Sequence, residues 1–502
     1  MALNLKIPIK MIQRQNRHHY QKISSAIIFL LMTLFYQSSI AEITLPSLGS
    51  TSDDIITPAE EKRIGKQIML QLKISDTLVT DMEIQEYIQS LGKQIAYKSN
   101  SPNTHFTFFV INNKNINAFA TVAGHVGIHT GLILITRTEG ELASVLAHEI
   151  THVTQKHLLR QLDNSRKLSI PTIAGLMVAV LLGSISSDAS QAALATTLAA
   201  SNQARLNYTR SNEEEADRIG MNVLVKTGFN AHNMPDFFKK MQQNTRLYGG
   251  DKIPEYLRTH PLTLNRISES EDRATKHQTK QRIDSLEYHL IKAKLQIDKF
   301  DTHKNAINYF KNLLSNKKFY YRQSIEYGLG YAYMKSGKYP QAEKLFKNLS
   351  LQHPNQWQYQ LAHHLASSKN KKTQLANSII TTAVKTYPDN NSIKYHYIKH
   401  LIALGRIQEA FDYTKNILPE NQEKASIWYK LLAQSSHKLQ QFSDEHYYLA
   451  QYYKVENDLS NALRQIDIAL SNKKLTLYKT EKYDAFKKEL KLKQRQLKKD
   501  NK

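Results

Sequence analysis

Hydrophobic residues change their spacing along the first third of the chain. Between residues 59 and 98 they recur at helical intervals, from Ile64 to Ile95, which predicts two helices around a polar turn. Phe106 to Ile111 forms a short aromatic run typical of a strand, and residues 118–123 and 126–135 predict further short strands separated by turn residues. Helices followed by strands indicate an α+β fold.

Two later helices have recognisable starts. Thr138 and Glu141 form a capping-box pattern ahead of an apolar stripe. Ser211 and Glu214 repeat that pattern, and the helix they begin is expected to stop at Gly228, because glycine commonly ends helices. Both helices are expected to belong to the α+β part of the chain.

The second half of the chain repeats itself every 34 residues. Ala342, Ala376 and Ala410 share this spacing, as do Pro354 and Pro388, and 34 is the period of the tetratricopeptide repeat. We expect about four or five helix pairs stacked into a curved, all-α solenoid whose groove binds other proteins. The alternative is an irregular helical bundle.

The first 41 residues have the pattern of a signal peptide. A basic segment precedes the apolar run Ser24 to Tyr36, and Ser39 to Ala41 is a small-x-small cleavage pattern, so the mature chain is expected to begin near Glu42. An uncleaved anchor is the alternative, but the run is shorter than the roughly 20 residues that a spanning helix needs. The basic residues are Lys6, Lys10, Arg14, Arg17 and Lys22.

Cysteine is absent from all 502 residues. Its absence excludes disulfides, thiolate zinc sites and a cysteine nucleophile, so a metal site must use histidine and carboxylate ligands. A long exported chain without cysteine is typical of the periplasm of a Gram-negative bacterium. The net charge of +24 raises the alternative of nucleic-acid binding, which export argues against. Attraction to acidic proteins, or peripheral contact with anionic lipid, is more economical.

The predicted chemistry lies on the first capped helix. His148, Glu149 and His152 form an HExxH motif, and residues four apart on a helix project from one face, so both imidazoles can hold one Zn²⁺ ion per chain. Glu149 lies beside that face, where it can accept a proton from the attacking water. A chance match is the alternative, but chance does not usually supply a capped amphipathic helix around the motif.

The third ligand is expected on the second capped helix. Glu213 and Asp217 are four residues apart, so Glu213 can bind the metal while Asp217 holds a ligand imidazole by its other nitrogen. Spacing alone does not choose between Glu213 and Glu214. These acidic residues also suit the start of a helix without any metal, which is the alternative.

The surroundings of this site give three weaker expectations. The segment Gly124 to Leu132 is either an edge strand that pairs with an extended substrate or an ordinary core strand. His125 and His129 within it are not expected to be ligands. The apolar run Ile170 to Ile185 is expected to form a buried or membrane-facing helical hairpin over the cleft, since it is too short for a span.

These motifs, together with Thr259-His260-Pro261-Leu262 and Arg266 downstream, resemble the gluzincin metallopeptidases, a family that includes the CAAX prenyl proteases and the mitochondrial Oma-type proteases. The resemblance implies a zincin-like fold in which Glu149 is the general base. It also implies that His260 lies on a mobile loop and can occupy the open zinc position, and that Arg266 supports the site. The zinc ligands that it implies are His148, His152 and Glu213, with Asp217 either behind them as a support or acting as a proton donor.

The expected organisation has four parts: a signal peptide in 1–41, a metallopeptidase domain in 42–280, a repeat domain in 281–485 and a basic helical tail in 486–502. The resemblance implies a periplasmic endopeptidase that cuts unfolded or stalled outer-membrane proteins and contacts the β-barrel assembly machinery through its repeats. A largely latent assembly chaperone and a binding module with an inactive site are the alternatives. Relatives carry a cysteine pair in the repeats that this chain lacks, which leaves redox control in doubt.

Overall fold

The computed structural model describes residues 57–75, 77–163, 210–248, 254–277, 282–419 and 424–499. The predicted signal peptide of residues 1–41, the predicted mature start at Glu42 and the apolar run 170–185 lie outside these ranges. None of the helices within them is long and apolar enough to cross a membrane.

Two helices open the described chain, as the spacing predicts. Helix α1 spans Pro58–Ile74 and helix α2 spans Met82–Ala96. Asp81 caps α2, because its side chain accepts hydrogen bonds from the first free backbone N–H groups of that helix. The apolar face of α2 packs on the sheet and on the helix that carries HExxH.

The sheet has three strands, β1 (Thr107–Ile111), β2 (Ala118–Ala120) and β3 (His125–His129). Their order is β1-β3-β2, with β3 parallel to β1 and antiparallel to β2. Because β3 is paired on both sides, the interpretation of Gly124 to Leu132 as a substrate-binding edge strand is wrong, and a core strand is what the structure has.

The predicted strand over 126–135 is also wrong beyond His129. Residues Thr130–Ile135 form helix α3. The Thr130 hydroxyl and the Gly131 N–H both donate to the Asn113 carbonyl, at 2.8 and 2.9 Å, and these bonds turn the chain out of the strand. A short continuous apolar run does not distinguish a buried strand from a buried helix, which is why the pattern misled.

Within the described residues, six further helices follow in the first part of the chain. At the start of α4 the Thr138 hydroxyl accepts from the Glu141 N–H at 3.1 Å, as predicted, while the Glu141 carboxylate accepts from the Arg137 N–H at 2.6 Å. Ser211 lies inside α6, and Gly228 follows that helix with a φ of 90°. The helices are α4 Glu139–Thr154, α5 His157–Asp163, α6 Arg210–Lys226, α7 Asn233–Tyr248, α8 Glu255–Thr259 and α9 Leu264–Thr275.

Residues 282–419 and 424–499 form six helix pairs, against the four or five expected. Successive first helices begin 34 to 36 residues apart, as do successive second helices. The fold class, an α+β part followed by an all-α repeat array, is confirmed. The helices are α10 Leu286–Gln296, α11 His303–Ser315, α12 Arg322–Lys335, α13 Tyr339–Gln352, α14 Trp357–Lys369, α15 Thr373–Thr386, α16 Asn391–Ala403, α17 Ile407–Ile417, α18 Ala425–Lys438, α19 Phe442–Val455, α20 Leu459–Leu470 and α21 Leu477–Lys499.

Small buried residues explain the close packing of these pairs. Ala342, Ala376 and Ala410 occupy the fourth position of α13, α15 and α17, and each is fully buried. The predicted start of a separate tail at Phe486 falls within α21, where Phe486 packs in the core of the last pair. The predicted boundary between residues 280 and 281 lies outside the described ranges.

A buried ionic cluster joins α2 to the array. Lys294 of α10 places Nζ 2.6 Å from Asp81 Oδ2 and 2.8 Å from Glu83 Oε2, and the Tyr327 hydroxyl donates to Glu83 at 2.9 Å. Burial alone would lower the pKa of Lys294, but the carboxylates raise it above its ordinary value. Helix α2 therefore contacts both the array and the HExxH helix.

Candidate metal centre

Helix α4 presents His148, Glu149 and His152 to the interior. None of the three side chains is more than 1% exposed, and the two imidazoles approach one another with their Nε2 atoms 2.9 Å apart. Two nitrogen lone pairs at this distance repel one another unless a proton or a metal ion lies between them. The HExxH spacing therefore places two ligands at one point.

Helix α6 brings a carboxylate to the same point. Glu213 lies 3.5 Å from His148 Nε2 through Oε2 and 3.4 Å from His152 Nε2 through Oε1. The two helices approach closely at Gly220, where a Cβ atom would lie 3.2 Å from the Ala147 carbonyl oxygen. Glu214 is only partly buried and is outside the cluster, so the geometry favours Glu213 between the two candidates.

A fourth group completes the cluster, the imidazole of His260. Its Nδ1 lies 3.0 Å from Glu213 Oε1 and 3.4 Å from His148 Nε2. The five close distances among His148, His152, Glu213 and His260 run from 2.9 to 3.5 Å. Ligands bound tetrahedrally to zinc at roughly 2.0–2.1 Å would be about 3.3 Å apart, so these four residues fit that ion.

The charge of the cluster also favours a cation. Burial alone would lower the pKa of His148, but Asp217 and Glu213 raise it to about 10. Burial alone would raise the pKa of Glu213, but His260, His148 and His152 lower it well below its ordinary value. An ionised carboxylate among imidazoles is the environment of a bound divalent ion.

Asp217 and Arg266 contact the cluster from behind. The His148 Nδ1 lies 3.0 Å from Asp217 Oδ1, which leaves Nε2 to face the cluster. Arg266 donates to both oxygens of Asp217, at 2.7 and 2.9 Å, and its Nη1 lies 2.7 Å from Glu213 Oε2. Burial would raise the pKa of Asp217, but the hydrogen bonds from Arg266 and His148 lower it. Arg266 thus holds both carboxylates ionised and in place.

The segment that carries His260 is tied into the site at both ends. The Tyr256 N–H donates to the Ile116 carbonyl at 3.0 Å, and the Tyr256 ring packs against the imidazole with centroids 4.8 Å apart. Beyond His260, the Pro261 carbonyl accepts from Arg266 Nη1 at 2.8 Å. His260 is 1% exposed in this arrangement.

Glu149 faces His260 across the cluster. Its Oε1 lies 3.4 Å from His260 Nε2. Burial raises the pKa of Glu149, and the nearby His260 and His148 act against that rise. A buried carboxylate with a raised pKa accepts a proton more readily than one in water.

Among the described residues, strand β2 forms an edge of the sheet, and this edge lies beside the cluster. The Asn117 carbonyl accepts from the His129 N–H, and the Thr121 N–H donates to the His125 carbonyl, so the backbone groups of these two residues, which flank β2, face β3. Because alternate residues of a strand face opposite sides, the backbone groups of Ala118 and Ala120 point to the other edge. Strand β2 also packs against α4.

Sequence reasoning missed two residues, His157 and Glu215. His157 Nδ1 lies 2.8 Å from His152 Nδ1, and His157 Nε2 lies 2.9 Å from Glu215 Oε2. Lys156, with a φ of 52°, breaks the helix between the two histidines, so no helical spacing rule relates them. His125 and His129 lie on β3 and are outside the cluster.

The structure brings together every residue named from the sequence for this site. Those residues are His148, Glu149, His152, Glu213, Asp217, His260 and Arg266.

A model of peptidase family M48 matches residues 83–274 of the chain. The beta-barrel assembly-enhancing protease of Escherichia coli is 32% identical over 446 residues, which cover 88% of this chain and 90% of the relative. The putative beta-barrel assembly-enhancing protease of Vibrio cholerae is 37% identical over 314 residues, which cover 62% of this chain and 64% of that relative. The mitochondrial metalloendopeptidase OMA1 of Arabidopsis thaliana is 28% identical over 220 residues, 43% of this chain and 42% of the relative.

Proposed function

We propose a metal, a substrate and a mode of control for this chain, which belongs to peptidase family M48. The predicted family resemblance and the predicted enzyme class, a metalloendopeptidase, are both confirmed. The proposed activity is zinc-dependent cleavage of unfolded or stalled outer-membrane β-barrel proteins. The observation that carries the proposal is the buried cluster of three imidazoles and one carboxylate.

Zinc is the proposed metal, one ion per chain. Imidazole and carboxylate donors in a tetrahedral arrangement suit Zn²⁺, and the chain has no cysteine that would favour a thiolate site. His148, His152 and Glu213 would hold the ion throughout catalysis, and His260 would hold it only in the closed state. Bound zinc supplies a lowered pKa for water and polarisation of the scissile carbonyl.

The remaining residues orient ligands or move a proton. Glu149 accepts the proton of the attacking water at its carboxylate and passes it to the leaving amine. Asp217 accepts a hydrogen bond from His148 Nδ1. This bond keeps the proton of His148 on Nδ1 and leaves the lone pair of Nε2 available to bind the metal. Arg266 keeps Asp217 and Glu213 ionised and fixed.

The edge formed by β2 is the proposed place for the substrate backbone. An extended peptide that pairs with β2 at Ala118 adds a strand to the sheet next to α4, where the Ala120 backbone already contacts Glu149. The segment from Tyr256 to His260 already occupies one end of that edge, through the bond of the Tyr256 N–H to Ile116. In the closed state His260 therefore competes both for the metal and for the substrate path.

Unpaired β-strands are what such an edge would bind, and unfolded barrel proteins expose them. Two relatives carry the name beta-barrel assembly-enhancing protease, which supports the same substrate class and a place in outer-membrane assembly. The repeat array would contact the assembly machinery, as solenoid grooves bind proteins. The signal-peptide pattern ending at Ala41 supports the periplasm as the proposed site of action.

A largely latent assembly chaperone is the second candidate. It is favoured by one observation, the burial of His260 at the fourth position of the cluster. In that case the array would act on clients while the metal site stayed closed.

A cleavage assay distinguishes the peptidase from the latent chaperone. It uses one outer-membrane barrel protein, prepared in an unfolded and in a folded form. Zinc-loaded wild type is expected to cut the urea-unfolded form and to spare the form folded in detergent, while Glu149→Gln cuts neither. No cleavage of the unfolded form by zinc-loaded wild type or by His260→Ala would overturn the peptidase proposal and favour the chaperone. Equal cleavage of the folded form would overturn the proposed substrate class.

A further inference from the structure

Two hydrogen-bonded side chains, those of His157 and Glu215, extend behind the proposed ligand His152. His157 Nδ1 lies 2.8 Å from His152 Nδ1, and its Nε2 lies 2.9 Å from Glu215 Oε2. His157 is fully buried, and the two imidazole rings meet edge to face with centroids 4.9 Å apart. Neither residue belongs to the HExxH or ExxxD motifs.

The two contacts are consistent with only one neutral proton arrangement once His152 binds a metal. A ligand that coordinates through Nε2 carries its proton on Nδ1. His152 Nδ1 then donates to His157 Nδ1, so His157 must carry its own proton on Nε2, and that proton is donated to Glu215. Both nitrogens of His157 then have a role, and the Glu215 carboxylate accepts the last hydrogen bond.

The backbone holds this chain in place. Lys156 has a φ of 52°, and this turn between α4 and α5 returns His157 to the nitrogen of His152 that faces away from the cluster. Glu215 stands two residues after Glu213 on α6, so one helix supplies a ligand and also the end of the chain. Arg160 of α5 lies 3.5 Å from Glu215 Oε2 and donates to the Gln155 carbonyl, which ties the three helices together.

We propose that His157 and Glu215 are positioning residues for the metal, which fix the tautomer and ring orientation of His152 by a two-residue relay. They do for His152 what Asp217 does for His148 by direct contact. The inference rests on the proposed zinc site, since a ligand must exist to be positioned. Partners of this kind typically change metal affinity by 10- to 100-fold when removed.

The test is the zinc dissociation constant, measured by competition with a chromogenic chelator. His157→Phe keeps an aromatic ring, although a larger one, and removes both nitrogens, and we expect zinc to bind it about 10- to 100-fold more weakly than wild type. In His157→Asn the side-chain oxygen can accept from His152 Nδ1 where the imidazole nitrogen did, so affinity is expected to return most of the way. Glu215→Gln is expected to weaken zinc binding less than His157→Phe, because an acceptor oxygen remains.

Thermal unfolding of the metal-free proteins separates positioning from general packing. A positioning role leaves the metal-free melting temperatures of His157→Asn and Glu215→Gln near that of wild type. The matched control is His364→Phe, the same substitution at a buried histidine that lies in the repeat array, away from the site. This variant is expected to bind zinc as wild type does.

Wild-type affinity in the variant His157→Phe would overturn the inference, as would equal loss of affinity in the variants His157→Phe and His157→Asn. If His157→Phe does not fold, the variants His157→Asn and Glu215→Gln decide the question. A Glu215→Gln protein that binds zinc with wild-type affinity but melts at a lower temperature without metal would contradict the relay. Wild type that binds no zinc would instead refute the proposed metal site.

Discussion

Replacing His260 by alanine is expected to raise the basal cleavage rate. In the closed arrangement the His260 Nδ1 lies 3.0 Å from Glu213 Oε1, and its ring packs against Tyr256. His260 also fills the fourth position of the cluster, which catalysis needs for water. The variant removes the group that blocks the site and leaves the other three ligands unchanged.

The size of the increase follows from the contacts that are lost. A hydrogen bond to a charged group is worth about 1.5–3 kcal/mol, and each 1.4 kcal/mol corresponds to a tenfold change in an equilibrium. Taking the contact of His260 with the charged metal site to be worth as much as such a bond, the closed state is favoured by a factor of about 10 to 150. Because only the open fraction cuts, removal of His260 is expected to raise the rate at least about tenfold.

The assay is the initial rate of casein cleavage at equal zinc occupancy. His303→Ala, which removes an exposed histidine from the array, is the matched control and is expected to cut at the wild-type rate. The double variant His260→Ala and Glu149→Gln is expected to be inactive, which excludes a contaminating protease. A rate for His260→Ala no higher than that of wild type, at full zinc occupancy, would refute the account of His260 as a block.

Three further predictions follow from buried charges. Arg266→Lys keeps the charge but loses the paired hydrogen bonds to Asp217, so zinc affinity is expected to fall about 10- to 100-fold in a chelator competition. Unchanged zinc affinity would contradict a supporting role for Arg266. Lys294→Met leaves Glu83 buried without its cation, so urea unfolding is expected to show a loss of about 3–5 kcal/mol, and a loss below about 1 kcal/mol would contradict the buried pair. Burial, and after it the charge of Lys240, lowers the pKa of Lys292 from 10.5 to about 8. Between these two pH values the unfolded chain holds a proton that the folded chain has lost, so the contribution of Lys292 to stability rises with pH across this window. Lys292→Met is expected to lack that rise when melting is measured as a function of pH.

The parts of the site that could be predicted are those set by local spacing. His148 and His152 are one helical turn apart, as are Glu213 and Asp217, and helix geometry alone brings each pair to one face. Which acidic residue faces the metal depends on how α6 rotates against α4, and that rotation is a tertiary property. His157 stayed hidden because a single residue with positive φ places it.

The wrong predictions of the fold also arise where long-range contacts, and not local spacing, decide the structure. Residues 126–135 are mostly apolar, with His129 and Thr130 in the middle, and the run carries no periodicity that separates the strand His125–His129 from the helix Thr130–Ile135. Strand order in a sheet depends on long-range pairing, so the sequence did not identify β2 as the edge beside α4. The repeats were easier, because a 34-residue period is visible along the chain itself.

The measurement that tests the metal centre most directly is the zinc content by elemental analysis of the mature chain and of two variants. The account predicts one zinc per chain in wild type and in Glu149→Gln, with casein cleavage lost only in the latter, and a much lower zinc content in His148→Ala. Wild type without zinc after exposure to the metal, or His148→Ala with as much zinc as wild type, would contradict it.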